Sequence, residues 1–298
     1  IRKGEQMTLK QYLRQQILTL HYIYPLPLQK LMLLLNYVQS SEQIMDIHPH
    51  KLAMLLSISS EKAAKLKKQY YNFLTIPLEE IYQENNFTAI LFNDPLYPKE
   101  LLHLIDPPTV LYVKGDVSLL KLEKVAIIGS RHATNYTKRV LSYIVPPLVN
   151  AQFAIVSGFA KGADTMAHEE TIAVGGKTIA VLGSGFEHIY PRTNELLFDY
   201  MSKCHCIVTE YPPYMEPKKW HFPMRNRIIS GLSKGLVVTE AAIKSGTLIT
   251  TEHALDSGKD VFVVPGPVDS EQSKGTNLLL KEGAIPVWNG YQIVEELK

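Results

Sequence analysis

Cysteine is nearly absent: 298 residues contain two, Cys204 and Cys206, one residue apart. Read as parts of one strand they point the same way, and the segment between them is too short for an ordinary disulfide. A disulfide scaffold is excluded, and a reducing compartment fits. Long apolar runs are also missing. No segment reaches the ~18 consecutive apolar residues of a membrane helix. The richest stretch, Leu26 to Val38, is broken by Pro27, Gln29, Lys30 and Asn36. The N-terminus carries no signal-peptide pattern. Together these absences predict a soluble, cytoplasmic protein with no membrane partner. Charge of one sign is lacking as well: Lys+Arg is 31 and Asp+Glu is 29, a formal net charge of +2. A nucleic-acid partner therefore requires positive charge concentrated locally.

Several motifs of catalysis and cofactor binding are absent too. There is no His-Glu-x-x-His and no Cys-x-x-Cys, so no metal site is expected. Cys204 and Cys206, flanking His205, read instead as a buried strand. Gly183-Ser184-Gly185 lacks the spacing of a hydrolase elbow. Gly158 and Gly162 are spaced G-x-x-x-G, which is not the dinucleotide fingerprint. Gly175-Gly176-Lys177-Thr178 is similar to the end of a phosphate-binding P-loop. However, Thr171 stands where that loop needs glycine, and a strand follows rather than precedes it. It reads as a plain helix-to-strand turn. No cofactor is expected.

What is present divides into two textures. From Thr8 to Leu78 the pattern is helical, with Leu9, Tyr12, Leu13, Ile17 and Leu20 at three- and four-residue spacing. Further helices are predicted at Leu28 to Val38, Pro49 to Leu56 and Ser60 to Leu74, with Ser60 as an N-cap. From Ala89 onward short apolar runs appear. Ala89–Phe92 and Val110–Val113 come first, then Val125–Ile128, Ala154–Val156, Thr178–Leu182, Cys206–Thr209, Leu236–Thr239 and Val261–Val264. Each is the signature of a strand buried on both faces, and stretches of about a dozen helical residues separate them. The expected architecture is α/β: an extended Rossmann-like, mostly parallel, doubly wound sheet preceded by a small all-helical domain. The expected domains are residues 1–80 and 81–298.

Ligands of such folds bind beyond the carboxyl ends of the strands, so the turns there carry the functional signal. Gly129-Ser130-Arg131 offers a tight turn, a hydroxyl and a planar cation suited to a phosphate. Ser157-Gly158, with Lys161 and Gly162, opens a helix whose first N–H groups can face an anion. Asp164 beside them reads as an N-cap or first-turn acid. Thr193 is expected to cap the helix after Tyr190-Pro191. The sharpest segment is Lys218-Lys219-Trp220-His221-Phe222-Pro223-Met224-Arg225-Asn226-Arg227. With Pro223 at the first helical position, Arg225 and Arg227 fall in the first turn. Cations there cost ~0.3–1 kcal/mol each unless an anion offsets them. Lysines interleaved with rings suit a single strand, whose phosphates meet cations while its bases stack. The competing reading makes Trp220 and Phe222 core anchors and pairs the arginines with internal acids. Lys244-Ser245-Gly246 opens a further helix and supplies another phosphate contact.

Taken in order, these motifs resemble the DNA-processing protein A family (DprA, also called Smf). The resemblance runs from about Phe92 to Trp288. Beyond the turns above, it includes Tyr97-Pro98, Pro107-Pro108, Leu111-Tyr112-Val113-Lys114-Gly115, Tyr190-Pro191 with Asn194, Ile228-Ile229, Leu248-Ile249-Thr250, Pro265-Gly266, Gly275-Thr276-Asn277 and Gly283-Ala284. The resemblance implies a non-enzymatic, usually dimeric protein that binds single-stranded DNA and loads the RecA recombinase onto incoming DNA in natural transformation. The implied DNA contacts fall on Arg131, Ser157-Gly158, Lys219, Phe222, Arg225 and Arg227. With the turn readings, the expected site is Ser130, Arg131, Ser157, Gly158, Lys161, Lys219, Phe222, Arg225, Asn226, Arg227, Lys244, Ser245 and Gly246. Many family members add a winged-helix module, which is not expected here. The alternative is a nucleotide-binding Rossmann-like enzyme such as a nucleoside-monophosphate phosphoribohydrolase. Against it, Pro265-Gly266 runs into Pro267, and Glu252 lies too far beyond Gly246-Thr247 for that enzyme's loop.

Overall fold

The computed structural model describes residues 9–38, 44–243 and 245–298. Its chain forms two compact units. One holds the residues up to Tyr97 with Ile105–Tyr112, the other Pro98–Leu104 with Val113–Lys298.

Among its described residues the first unit contains five α-helices, α1 (Leu9–Ile23), α2 (Leu28–Val38), α3 (Pro49–Leu56), α4 (Ser60–Phe73) and α5 (Leu78–Glu84). Strand β1 (Phe87–Leu91) and the first half of β2 (Val110–Gly115) belong to it too. The core joins Ile17, Leu18 and Leu20 to Leu31, Leu34, Leu52, Leu66 and Tyr70, all buried. Two polar side chains hold α1 in place. Gln16 Oε1 accepts from Ile44 N at 2.6 Å and from the Tyr70 hydroxyl at 3.0 Å. Arg14 reaches the carboxylates of Glu79 and Asp94 and the carbonyl of Ala89. Helix α4 is capped by Ser59, not Ser60: Ser59 Oγ accepts from Lys62 N at 3.2 Å. The sequence offers two adjacent serines, and only the one with extended backbone can cap.

The second unit alternates strand and helix. Its elements are β3 (Lys124–Ile128), α6 (Asn135–Asn150), β4 (Ala154–Ser157), α7 (Ala163–Ala173), β5 (Thr178–Val181), α8 (Glu195–Cys204) and β6 (Cys206–Thr209). They continue through α9 (His221–Leu232), β7 (Gly235–Val238), α10 (Gly246–Asp256), β8 (Asp260–Val263), α11 (Lys274–Lys281), β9 (Ile285–Pro286) and α12 (Gly290–Leu297). Within this unit the strand order is β6-β5-β4-β3-β7-β8-β9. Every one of these neighbouring pairs is parallel. Val125, Ile127, Ile155, Val237 and Phe262 pack against Leu141, Ile144 and Leu148 of α6, Ala167 of α7 and Ile293 of α12. Helices α9 and α10 pack on each other and against the opposite sheet face. The doubly wound Rossmann-like reading is met.

Two local expectations fail. Cys204 and Cys206 do not share a strand: Cys204 ends α8, Cys206 opens β6, and both thiols are free. Thr193 lies inside a 3₁₀ turn, and Asn194 is the residue preceding α8.

From β3 the chain builds the sheet one way, through β4 and β5 to β6. It then returns through α9 to place β7 on the other side of β3. The break in direction lies between β3 and β7, the point at which such sheets open a crevice.

Candidate nucleic-acid interface

A cleft of about 640 Å³ opens at that break. The turn after β3 (Gly129, Ser130, Arg131 and His132) and the start of α10 (Ser245, Gly246 and Thr247) line it. Lys219, Phe222, Arg225 and Asn226 come from α9 and the segment before it, with Asp164, Tyr190 and Gln272 from elsewhere.

The floor is held by internal bonds. Ser130 N donates to the Glu240 carbonyl at 2.7 Å, and Ser130 O accepts from Ala163 N at 3.0 Å. The Ser130 hydroxyl donates to Gln272 Oε1 at 2.5 Å, so its proton is already engaged within the protein. The buried carboxylate of Glu240 accepts from Thr134 N at 2.7 Å and from the Thr137 hydroxyl at 2.7 Å. It thereby meets the positive end of α6. Thr247 Oγ1 donates to the Gly129 carbonyl at 3.1 Å, tying α10 to the turn after β3.

Ser157 is fully buried, and its hydroxyl donates to the Ile127 carbonyl at 2.6 Å. Gly158 is a packing glycine. A Cβ there lies 2.2 Å from Asp164 Oδ2 and 2.7 Å from Arg225 Nη2. Asp164 sits in the first turn of α7, as an acid there should, but it is buried. Burial pushes its carboxyl pKa up, against the opposing pull of Arg225 and of the Ala160 N–H that it accepts. His168 backs this turn: its Nε2–H donates to the Gly158 carbonyl at 2.6 Å, and its Nδ1 faces the Thr178 hydroxyl at 2.7 Å.

Helix α9 begins at His221, two residues before Pro223. Arg225 and Arg227 are therefore the fifth and seventh helical residues, not members of the first turn. The penalty expected of cations at a helix start does not apply to them. The sequence signal misled because proline also fits the third helical position, where its missing N–H is still one the helix leaves unbonded. Both arginines are buried. Arg225 donates from Nη1 to the Val181 carbonyl and stands beside Asp164, while burial pulls its pKa below the usual guanidinium range. Arg227 turns away from the cleft and pairs with Glu210 Oε2 at 2.5 Å.

Among the described residues the exposed Lys and Arg side chains lining the cleft are Arg131 and Lys219. The Arg131 guanidinium lies 5.6 Å from the centre of the Phe222 ring. Phe222 is half-buried, and Tyr190 stands 5.4 Å from it. Gly183 packs beneath the same ring. Asn226 Nδ2 reaches the Gly246 carbonyl at 3.5 Å, linking α9 to α10. Gly246 has open space on its Cα, and the first N–H groups of α10 have no partner within the helix. Ser245 Oγ is enclosed and lacks a hydrogen-bond partner.

Of the thirteen expected residues, the fold gathers Ser130, Arg131, Lys219, Phe222, Arg225, Asn226, Ser245 and Gly246 around one cleft. Ser157 and Gly158 lie beneath it. Lys161 is exposed but is not part of its lining. Arg227 belongs to an internal ion pair, and Lys244 lies outside the described residues. Tyr190, His132 and Gln272 were missed as lining residues. The proline after Tyr190 was a signal that the ring is held at a turn. Gln272 gave none, because it meets Ser130 from 142 positions away. Among the described residues no group of three or more His, Cys, Asp or Glu could hold a metal ion. None of the described helices is long and apolar enough to cross a membrane.

The model of a family described as DNA recombination-mediator protein A matches residues 88–298. DNA processing protein DprA of Bacillus subtilis is 44% identical over 240 residues, covering 79% of this chain and 80% of the relative. The crystal structure of DNA processing protein A from Streptococcus pneumoniae superposes with a TM-score of 0.82 at 34% identity, covering 99% of each chain. A structure of DNA processing protein A from Helicobacter pylori, solved to describe its single-stranded DNA binding mode, matches with a TM-score of 0.64 at 32% identity. That match covers 71% of this chain and 95% of the other.

Proposed function

The chain belongs to the DNA recombination-mediator protein A family, and on that basis we propose that it grips single-stranded DNA in the cleft between β3 and β7 and loads RecA onto it. The family is one of recombination mediators rather than enzymes. Residues 81–298 carry the DNA site.

One observation carries this reading. The rim of the cleft pairs a solvent-facing guanidinium, Arg131, with a half-open aromatic ring, Phe222. A single strand presents phosphates and base faces side by side, and this pair matches both. Lys219 adds a second exposed charge. The open start of α10 at Ser245 and Gly246 offers N–H groups to a phosphate, with Asn226 alongside. The buried members have a different task. Ser130, Ser157, Gly158 and Arg225 shape the floor so that the exposed members face one strand. The likeness to the Helicobacter pylori protein, whose structure describes a single-stranded DNA binding mode, supports the same reading.

The test is fluorescence anisotropy with labelled single- and double-stranded oligonucleotides across a salt series. Tighter binding to the single strand, with log K falling by about 0.7 per phosphate contacted, is the expected result. Equal or salt-independent binding overturns it. RecA loading is read separately, as faster onset of RecA ATPase activity on single strands coated with single-strand-binding protein. Action on incoming DNA during transformation, in the cytoplasm and as a homodimer, completes the proposal.

A further inference from the structure

Trp220 is left over by the site described above. It stands two residues before Phe222 yet does not line the cleft, and 59% of it is exposed. It occupies the N-cap of α9 and makes no side-chain capping bond. Serine, threonine, aspartate or asparagine at that position stabilises a helix, so the tryptophan is not there for the helix. Nor is it there for the core.

The ring is nevertheless fixed. Its edge meets His221 with centroids 4.1 Å apart and planes at 84°. His221 is buried and stacks on Tyr211 at 4.0 Å and 21°. Its Nδ1–H donates to the Gly183 carbonyl at 3.1 Å and its backbone N–H donates to the Lys218 carbonyl at 2.9 Å, so the histidine is held at both its ring and its backbone. Trp220 therefore projects from a three-ring pillar, mostly exposed, with the Lys218 ammonium over its ring. Lys218 Nζ lies 5.7 Å from the indole ring, and both Lys218 and its neighbour Lys219 are exposed.

We propose that Trp220 is a second stacking platform, outside the cleft, for a further base of the same DNA strand, with Lys218 meeting the adjoining phosphate. This rests on the single-strand reading above and extends its path. A chain leaving Phe222 and Lys219 passes the start of α9, where an aromatic face and a cation are again side by side. An exposed ring held in advance loses little freedom when a base stacks on it, which favours binding.

The experiment uses the full chain carrying W288F, which leaves Trp220 as the sole tryptophan. Binding of a labelled oligothymidylate is followed by anisotropy, and Trp220 emission is followed in the same titration. Saturable quenching of Trp220 is expected, together with a loss of about fivefold or more in affinity for W220A and near-parental affinity for W220F. The threshold is the lower end of what one stacked base contributes. Binding with unquenched Trp220, or a smaller loss in W220A, overturns the platform alone. So does a change in Trp220 emission with protein concentration before DNA is added, which instead seats a second copy on the ring. Failure of the W288F parent to bind at all overturns the single-strand reading, and the platform with it.

Discussion

The guanidinium of Arg131 stands 5.6 Å from the centre of the Phe222 ring, joining the turn after β3 to the second residue of α9. The two side chains come from positions 91 residues apart and line the same cleft. Each offers a different kind of contact, and the difference is measurable. Arg131→Ala and Lys219→Ala should each weaken single-strand binding and reduce the slope of log K against log salt by about 0.7, one phosphate's worth. Phe222→Ala should weaken binding by ~1–3 kcal/mol with the slope unchanged. Anisotropy titrations at four or more salt concentrations separate the two. A slope change in Phe222→Ala, or none in the cation variants, contradicts the assignment.

The two arginines of α9 should behave differently from Arg131. Arg227 and Glu210 form a pair whose side chains are 8% and 13% exposed. Removing one member strands the other charge in a poorly solvated place, at a cost of about 3–5 kcal/mol when burial is complete. Arg227→Ala should therefore lose about 3 kcal/mol in urea unfolding, while its folded fraction keeps the parental salt slope. Arg225→Ala should lose stability as well, since buried Asp164 then keeps only the weaker attraction of the Arg131 guanidinium. A stable Arg227→Ala protein with a reduced slope shows that Arg227 reaches the DNA after all.

The contrast between exposed and buried cations also marks how far the sequence could be read. The strands were legible because their surroundings are simple. Val125–Ile128 or Cys206–Thr209 is buried on both faces, so apolar runs and turn residues suffice to find it. Strand β9, two residues long, and α5, seven residues long, were too short to register a period. The residue types of the site were legible too, because phosphates and bases need cations, rings and glycine turns. Which cations face solvent was not. Arg225 and Arg227 look like Arg131 in sequence, but their acids, Asp164 and Glu210, are 61 and 17 positions away. Only the fold brings them together. The start of α9 was misplaced because a proline fits more than one position of a first turn.

Glycine substitutions test the floor of the cleft. Gly158→Ala places a methyl group 2.2 Å from Asp164 Oδ2 and 2.7 Å from Arg225 Nη2. Those groups are buried and cannot withdraw freely, so a loss of about 1–3 kcal/mol is expected, with weakened DNA binding beside it. Gly246→Ala meets nothing within 4 Å. It opens a helix, where alanine is well tolerated, and stability should stay within about 0.5 kcal/mol of the parent. Thermal and urea unfolding of the two variants give the comparison. Equal effects show that the close packing at Gly158 is not what fixes the turn.

Acid should destabilise the second unit through His168. Burial holds its imidazole neutral and lowers its pKa from 6.5 to about 4. In the unfolded chain the same ring takes up a proton near pH 6.5, so between pH 6.5 and about 4 the unfolded state binds more protons than the folded one. Stability from this group is complete above pH 6.5, falls as pH drops through that window, and levels off below about 4. A shift of that size corresponds to about 3 kcal/mol in all, at 1.36 kcal/mol per unit. His168→Gln keeps a donor for the Gly158 carbonyl but removes the titration. It should lower stability at neutral pH and flatten the dependence between pH 6.5 and 4, read by urea unfolding at half-unit steps. Because the folded ring stays neutral down to about pH 4 while it braces Gly158 beneath the DNA cleft, single-strand affinity of the folded parent should hold across this window even as its stability falls. A variant as acid-sensitive as the parent assigns the effect to another group, such as His21, which burial lowers to about 3.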